Sequence, residues 1–511
     1  MSSLKPIKTA LISVFHKDGL SEILALLAND GVKFISTGGT RKFIEDQGYE
    51  CDAVEELTGY PSILGGRVKT LHPKVFGGIL GRRENEDDTK TMAELSIPEI
   101  DLVIVDLYPF EQTVADGASH EDIIEKIDIG GISLIRAAAK NYRDVAIVAS
   151  KAQYGLLHSL LVEHGAATSL TERLVLAREA FAVSSGYDSA IFDYMASQLD
   201  APAGALRLAV DGERNLRYGE NPHQEAHFFG HFNEMFEQLH GKEISYNNIL
   251  DIDSAVALID EFDRQIPAIA ILKHNNACGL AVRPTIKEAW IDALAGDPVS
   301  AFGGIIIANQ EVDAEAAAEI GKIFFEVIIA PSFSDDAMTI LTQKKNRIIL
   351  RRKQCDKSAT VVRSVLNGVL VQQRDNKIET VDDLKAVSGE LTPEKAADML
   401  FANKIVKHSK SNAIVLAKNG QLIGSGVGQT SRVDALKQAI AKAREFGFDT
   451  AGATLASDAF FPFADCVEIA HSAGIDTVVQ PGGSIRDTDS VEYCQAHGMT
   501  MAMTGFRHFR H

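Results

Sequence analysis

Cysteine is scarce in this chain and stands in no arrangement that chemistry uses. Cys51, Cys278, Cys355, Cys466 and Cys494 are odd in number and far apart, and no Cys-X-X-Cys pair occurs. That excludes a disulfide framework and a thiolate zinc centre. No His-X-Glu is followed by Pro-Cys-X-X-Cys, so a zinc deaminase site is excluded and no catalytic metal is expected. Long apolar runs are also lacking. None approaches the ~20 residues of a membrane span, and the opening MSSLKPIKTALISVF has no apolar stretch leading to a small-residue cleavage site. Positive charge is short, with 51 Lys and Arg against 70 Asp and Glu, a net charge of −19 and a pI of about 5.3. Nucleic acid rewards a basic face, so it is not the expected partner. An anionic ligand must be met by a few local cations and backbone N–H groups. The expectation is a soluble, cytoplasmic enzyme or binding protein in a reducing compartment.

What is present is an ordinary globular composition, 45% hydrophobic and 24% charged over 511 residues. That length allows two to four domains at roughly 150 residues each. In the first part, short apolar runs alternate with amphipathic ones. Strands are predicted at 9–15, 32–36, 102–107 and 145–148, and helices at 20–29, 41–47 and 123–127. Such alternation argues an α/β fold with a mainly parallel sheet, whose ligands sit beyond the carboxyl ends of the strands. Residues 152–199 read as helical up to the break Asp200-Ala-Pro-Ala-Gly204. The predicted division is a domain at 1–199, with a core at about 1–150, and a second at 200–511. The second part is again α/β and carries a weak echo. Ile271-Leu-Lys-His274 is matched by Ile405-Val-Lys-His408, and Ser300-Ala-Phe302 loosely by Asp458-Ala-Phe460. Two related subdomains would explain it.

Several clusters carry chemistry. Ser36-Thr-Gly-Gly-Thr40 lies between a predicted strand and helix, where glycines let backbone N–H groups approach an anion. It lacks P-loop spacing, and an ordinary Gly-rich turn reads the same way. Gly65-Gly-Arg-Val-Lys-Thr-Leu-His-Pro73 sets Arg67, Lys69 and Thr70 on a loop suited to a ligand anion or a developing oxyanion; a solvated basic turn is the alternative. Asp106-Leu-Tyr-Pro-Phe110 puts the Tyr108 phenol at the mouth of a strand. Asp128, in Ile127-Asp-Ile-Gly-Gly131, is a helix cap or a site residue. Arg136 and Lys140 stand four apart on one helix face, a like-charged pair that favours a nearby anion.

In the second part, Arg217-Tyr-Gly-Glu-Asn-Pro-His-Gln224 is too polar for a buried strand and too rich in Gly and Pro for a helix. It reads as an ordered binding loop. Leu272-Lys-His-Asn-Asn-Ala-Cys-Gly279 follows an apolar strand-like run. His274 is the natural general base near neutral pH, and Lys273 can stabilise an anion or supply a proton. Strand neighbours face opposite ways, so the two serve one site only at the strand's end. Ser411-Asn412, Gly428-Gln-Thr-Ser-Arg432, Asp458-Ala-Phe-Phe-Pro-Phe463 and a terminal Arg507-His-Phe-Arg-His511 add further clusters, the last resembling either a tag or a packed end.

STGGT, GGRVKTLHP, DLYPF, IDIGG, RAAAKN, RYGENPHQ, SAFGGI, GQTSR, SDAFFPF, QPGGSIRD and RHFRH occur in that order. In this the chain resembles, over essentially its whole length, the bifunctional purine-biosynthesis enzymes that join AICAR transformylase to IMP cyclohydrolase. The resemblance implies a methylglyoxal-synthase-like N-terminal domain and a duplicated cytidine-deaminase-like C-terminal region. It also implies 10-formyltetrahydrofolate as formyl donor, AICAR and formyl-AICAR as substrates, no zinc, and a homodimer with transformylase sites across the interface. Carried over by residue, the cyclohydrolase site is Ser13, Lys17, Thr37, Arg67, Lys69, Thr70, Tyr108, Asp128, Gly130 and Lys140. The transformylase site is Arg217, Tyr218, His223, Lys273, His274, Glu326, Asn412, Arg432, Phe461, Arg507 and His511. Lys69, Tyr108, Asp128, Lys140, Lys273 and His274 are the catalytic candidates and the others bind substrate. The chain departs from the family's Ser-Val-Ser-Asp-Lys at Ser13-Val-Phe-His-Lys17, from Asn at Asp106, and from Asn-Pro-Cys-Gly at Asn276-Ala-Cys-Gly279. Two other readings are a methylglyoxal-synthase-type lyase with a regulatory second part, and a nucleotide-binding regulator with dead sites.

Overall fold

Apolar runs too short for helices become the strands of the first sheet. They are β1 (Thr9–Ser13), β2 (Lys33–Ser36), β3 (Cys51–Ala53), β4 (Leu102–Val105) and β5 (Ala146–Val148), in the order β3-β2-β1-β4-β5 and all parallel. Every residue of β4 and β5 is buried, as in a sheet covered on both faces. The computed structural model describes residues 4–201, 203–355 and 357–511; Pro202 of the expected break and the first three residues lie outside it. By contacts the chain forms two compact units, Met1–Val210 and Asp211–His511.

In the first unit the chain runs from central β1 outward to β3, then returns to β4 on the other side of β1. The switch point, where α/β sheets place ligands, therefore lies between β1 and β4. The predicted strand at 9–15 stops at Ser13 because Val14 bonds through both its N–H and its C=O to Thr40 Oγ1 (3.1 and 2.9 Å). Helix α1 is Leu20–Asn29, and α2 (Gly38–Asp46) begins earlier than its predicted span. Then come α3 (His120–Glu125) and α4 (Gly130–Lys140). The stretch predicted as continuously helical is α5 (Tyr154–His164), a two-residue strand at Ala167–Thr168, and α6 (Leu170–Ser197). A capping box between Ser169 and Glu172 fixes where α6 starts.

The second unit carries a twelve-stranded sheet among its described residues. Its first half is β6 (Phe236–His240), β7 (Ala268–Lys273), β8 (Asn276–Val282), β9 (Ile305–Ala308), β10 (Val327–Ala330) and β11 (Ile348–Arg352). Its second half is β12 (Lys385–Ser388), β13 (Ile414–Lys418), β14 (Gln421–Gly426), β15 (Thr454–Ser457), β16 (Thr477–Gln480) and β17 (Thr500–Met503). The order β6-β11-β10-β9-β7-β8-β14-β13-β15-β16-β17-β12 is the same six-strand pattern twice, joined at β8 and β14. The duplication is real, but the echo in the sequence marks the wrong residues. Ile271 to Lys273 lie on β7, whereas Ile405 to Lys407 end helix α7 (Pro393–Lys407). Ser300 precedes β9, while Asp458 follows its counterpart β15. The true counterpart of the turn after Lys273 is the turn after Lys418, because each lysine closes the first hairpin of its half, against Asn276 and Gln421.

The terminal Arg507-His-Phe-Arg-His511 is a packed end. His508, 3% exposed, sits between Asp375 Oδ2 (2.7 Å) and Glu379 Oε1 (2.8 Å), and Asn403 Nδ2 donates to the other Glu379 oxygen at 3.0 Å. Arg510 donates to the His408 carbonyl (2.6 Å) and to Ser254 (2.8 Å). Burial works against an imidazolium at His508, but the bonds and charges of Asp375 and Glu379 prevail and raise its pKa to about 9. A folded-state pKa above the unfolded value means this contribution is complete below about pH 6.5 and is lost as pH rises through about 9. The thermal midpoint of the second unit should therefore fall between about pH 7 and 9.5 more steeply in the wild type than in His508→Gln. Equal slopes in a calorimetric pH series would contradict the imidazolium clamp.

Candidate active sites

In the first unit the expected residues gather at the switch point. Ser13, ending β1, has its hydroxyl 3.3 Å from that of Thr37, which precedes α2. Lys69 lies against the same turn: a Cβ built on Gly66 would stand 3.0 Å from Lys69 Cε, and one on Gly38 3.8 Å from Nζ. The ammonium thus sits at the first turn of α2, where a glycine pair leaves backbone N–H groups open to an anion. Thr70, buried, has its hydroxyl 3.1 Å from where a Gly130 Cβ would be, so Gly130 is the space that lets the 65–73 loop reach α4.

Asp128 holds both readings open to it. Its Oδ1 accepts the Gly131 N–H at 2.7 Å, capping α4, and its own N–H donates to the Tyr187 phenol at 2.8 Å. Burial raises its pKa; bonds from the Gly131, Tyr108 and Gly130 backbone pull it back, and the charge of Asp106 adds to the rise. A carboxyl that keeps its proton to higher pH, bonded by the backbone of Tyr108, is suited to proton transfer.

The remaining expected residues of this unit are differently placed. Arg67 is paired with Glu125, its Nε 3.3 Å from Oε2, in a solvent-exposed contact that an anionic ligand can replace. Lys17 donates to the Val14 and Phe15 carbonyls (3.0 and 2.9 Å) and so stiffens its own loop. Lys140 ends α4, ten residues from Gly130, or about 15 Å along the axis at 1.5 Å per residue. The helix carries it away from Asp128.

In the second unit, His274 and Asn275 form the two-residue turn between β7 and β8, with φ of +51° and +66°. Such turns need left-handed residues at both central positions, a conformation Asn tolerates and His pays for in strain. The neighbours hold it. Asn275 N–H donates to Asp251 Oδ1 (2.7 Å), Asn276 Nδ2 to the His274 carbonyl (2.8 Å), and Lys410 N–H to Asn276 Oδ1 (2.9 Å). Lys273 and His274 are thus at the strand's end, and Lys273 Nζ reaches the Phe302 carbonyl at 2.8 Å. From Lys410 the network continues to Asn412, whose Oδ1 accepts from Arg432 (3.0 Å), and Arg432 pairs with buried Asp458 (2.6 Å). The tail joins it through Arg510, whose N–H meets Ser411 Oγ at 3.0 Å, while Arg507 is exposed with its guanidinium 4.5 Å from the Phe509 ring and the His511 carbonyl accepts from Arg363 (3.0 Å).

The loop 217–224 forms its own shallow cavity of about 240 Å³, lined by Arg217 and His223. Arg217 stacks over the Tyr218 ring at 4.6 Å and donates to its hydroxyl at 2.7 Å. Among the described residues no hydrogen bond or ring contact ties this loop to His274 or Arg432. Glu326 is engaged by Lys242 at 2.5 Å. Phe461 requires correction as a substrate contact. Its side chain is wholly buried in the core of the second half, so it has no surface to offer a ligand. Asp251 escaped the sequence reading: its pKa is raised by burial, and it supports the His274 turn from a helix that carries no motif to mark it. Asp458 heads one of the expected clusters, and its contact with Arg432 lies across the fold.

Comparison with known proteins finds relatives along the whole chain. The model of the "AICARFT/IMPCHase bienzyme" family matches residues 138–442, and that of the "MGS-like domain" matches 19–133. A "Bifunctional purine biosynthesis protein PurH" of Bacteroides thetaiotaomicron is 66% identical over the full length of both chains. Proteins of the same name from Pelodictyon phaeoclathratiforme and Acetivibrio thermocellus are each 46% identical, over 99% of this chain and 99% and 100% of theirs. Among solved structures, "Crystal structure of ForH" aligns with 37% of this chain and 99% of that one, at 35% identity and a TM-score of 0.33.

Proposed function

The chain belongs to the AICARFT/IMPCHase bienzyme family, and we propose that its two reactions are divided between its two units. It catalyses the last two steps of IMP biosynthesis, formylation of AICAR by a folate-type donor and dehydrative closure of formyl-AICAR to IMP. In our reading the donor is 10-formyltetrahydrofolate, residues 1–199 carry the cyclohydrolase and residues 200–511 the transformylase.

The 5-amino group of AICAR, conjugated to a carboxamide, is a poor nucleophile and needs a base within hydrogen-bond range. His274 takes its proton as the nitrogen attacks the formyl carbon. Lys273 stabilises the tetrahedral oxyanion or protonates the folate nitrogen as its bond to the formyl carbon breaks. The observation that carries this assignment is the strained turn at His274, held by Asp251 and Lys410. In cyclisation the carboxamide nitrogen attacks the formyl carbon of the same molecule and water leaves, so holding the two groups together supplies much of the rate. Lys69, Tyr108 and Asp128 share the proton transfers and oxyanion stabilisation.

His274→Ala should lower formyl transfer ~10²–10⁴-fold while formyl-AICAR is cyclised at the wild-type rate. A folded variant that keeps formyl transfer within a few-fold of wild type removes His274 from the chemistry.

The transformylase site is completed, in our reading, by a second copy of the chain. The open cavity of the 217–224 loop supports this. So does the hairpin Thr360–Val365 and Gly368–Gln373, whose strands pair only with each other among the described residues and which exposes Val362, Leu366, Leu370 and Val371; a lone two-stranded ribbon is marginally stable. Sedimentation and activity through a dilution series should show transformylase loss on dissociation with cyclohydrolase retained. A fully active monomer would refute the shared site.

A further inference from the structure

Between β1 and α1 the chain passes over the switch point of the first sheet, and His16 stands in that passage. Its Nδ1 lies 3.0 Å from Asp106 Oδ2, and the same carboxylate accepts the backbone N–H of His16 (2.9 Å) and of Phe15. Asp106 is buried, at 9% exposed, and its bonds to the loop occupy both oxygens. The imidazole is exposed, and its Nε2 has no hydrogen-bond partner among the described residues. A carboxylate at Nδ1 fixes a proton there and orients the ring, which sets the task of the other nitrogen.

The surroundings belong to the nucleotide site. On one side Thr40 of α2 holds Val14, next to the Thr37-Gly-Gly turn. On the other, the Phe15 ring lies edge-on to His16 at 4.9 Å and to Tyr108 at 5.7 Å. The nearest lysine, Lys17, is spent on two backbone carbonyls, and the nearby Asp18 is held by Lys151 at 3.0 Å. The two departures from the family's sequence, His for Asp at 16 and Asp for Asn at 106, therefore touch each other: the acid has moved to 106 and a base has taken its place.

We propose that His16 is a substrate-contacting residue of the first unit, whose Nε2 meets an anionic oxygen of the nucleotide while Asp106 aims the ring. With Nδ1 turned to Asp106, Nε2 is the ring atom left to face the substrate, where a hydrogen bond to an anionic oxygen is a charge-assisted one. This rests on the cyclohydrolase reading of the first unit.

The two amide substitutions separate contact from clamp. In His16→Asn the amide nitrogen replaces Nδ1, keeping the bond to Asp106 and deleting Nε2. In His16→Gln the amide replaces Nε2 and gives up the Asp106 bond. The full-length enzyme is assayed for KM and kcat with formyl-AICAR, for Kd of IMP by calorimetry, and for thermal midpoint. His16→Asn should raise KM and the IMP Kd about 10-fold, the size of one charge-assisted bond, with kcat within a few-fold and an unchanged midpoint. His16→Gln should recover most of that loss. If His16→Asn binds IMP as wild type does, the contact is wrong; impairment confined to His16→Gln would mean that the ring only clamps the loop. A wild-type enzyme that binds IMP but fails to cyclise formyl-AICAR would instead refute the reading of the first unit, and the comparison of IMP affinities would still decide the role of His16.

Discussion

Two helices of the second unit lie against its two central strands more closely than any side chain on those strands would allow. A Cβ on Gly279 of β8 would come 2.1 Å from the Ala293 carbonyl of the helix Ile286–Gly296, and one on Gly426 of β14 would come 1.9 Å from the Ala435 carbonyl of the helix Arg432–Glu445. Only glycine permits that approach. Both halves of the duplication use the device, the second one twice, since a Cβ on Gly424 of β14 would also come 2.4 Å from the Ala439 carbonyl, and they use it at the junction where β8 meets β14. The functional geometry follows from it. The second of these helices begins at Arg432, so its seating delivers that guanidinium to Asn412 and Asp458, while β8 leads back to the turn that presents His274. Either glycine replaced by a larger residue must push a helix outward and shift those groups together.

The first unit solves a different problem with a parallel sheet. Its ligand edge is built from strand ends and helix starts, where unpaired backbone N–H groups are plentiful. Thr37, Gly38 and Gly39 supply one such start, and Gly130 and Gly131 the other. Asp128 satisfies the second, which keeps a carboxyl in a half-buried place that raises its pKa. One side chain thus bonds the first turn of α4 and carries a carboxyl whose pKa is raised by burial.

The alternation of short apolar runs and amphipathic segments was enough to read the α/β class and most strands of the first sheet, because period and length are local properties. Boundaries were less legible. The strand at Thr9–Ser13 ended early on account of Thr40, a partner far along the chain. The echo that points to the duplication falls on residues that sit on a strand in one half and a helix in the other, since four matching letters carry no information on register. The His274 turn was legible from its position after an apolar run. The burial of Phe461 and the support given by Asp251 and Asp458 are not legible, because each is decided by what packs against it across the fold. The His16–Asp106 contact shows the same limit from another side: two departures noted separately in sequence prove to be one arrangement in space.

The division of the two reactions between the units is tested most directly by expressing residues 1–199 alone and supplying formyl-AICAR. A stretch of that length can bury its own core, and Lys69, Tyr108 and Asp128 all lie within it. The fragment should fold and form IMP at the full-length rate, with no formyl transfer to AICAR. A soluble, folded fragment that leaves formyl-AICAR unchanged would contradict the division.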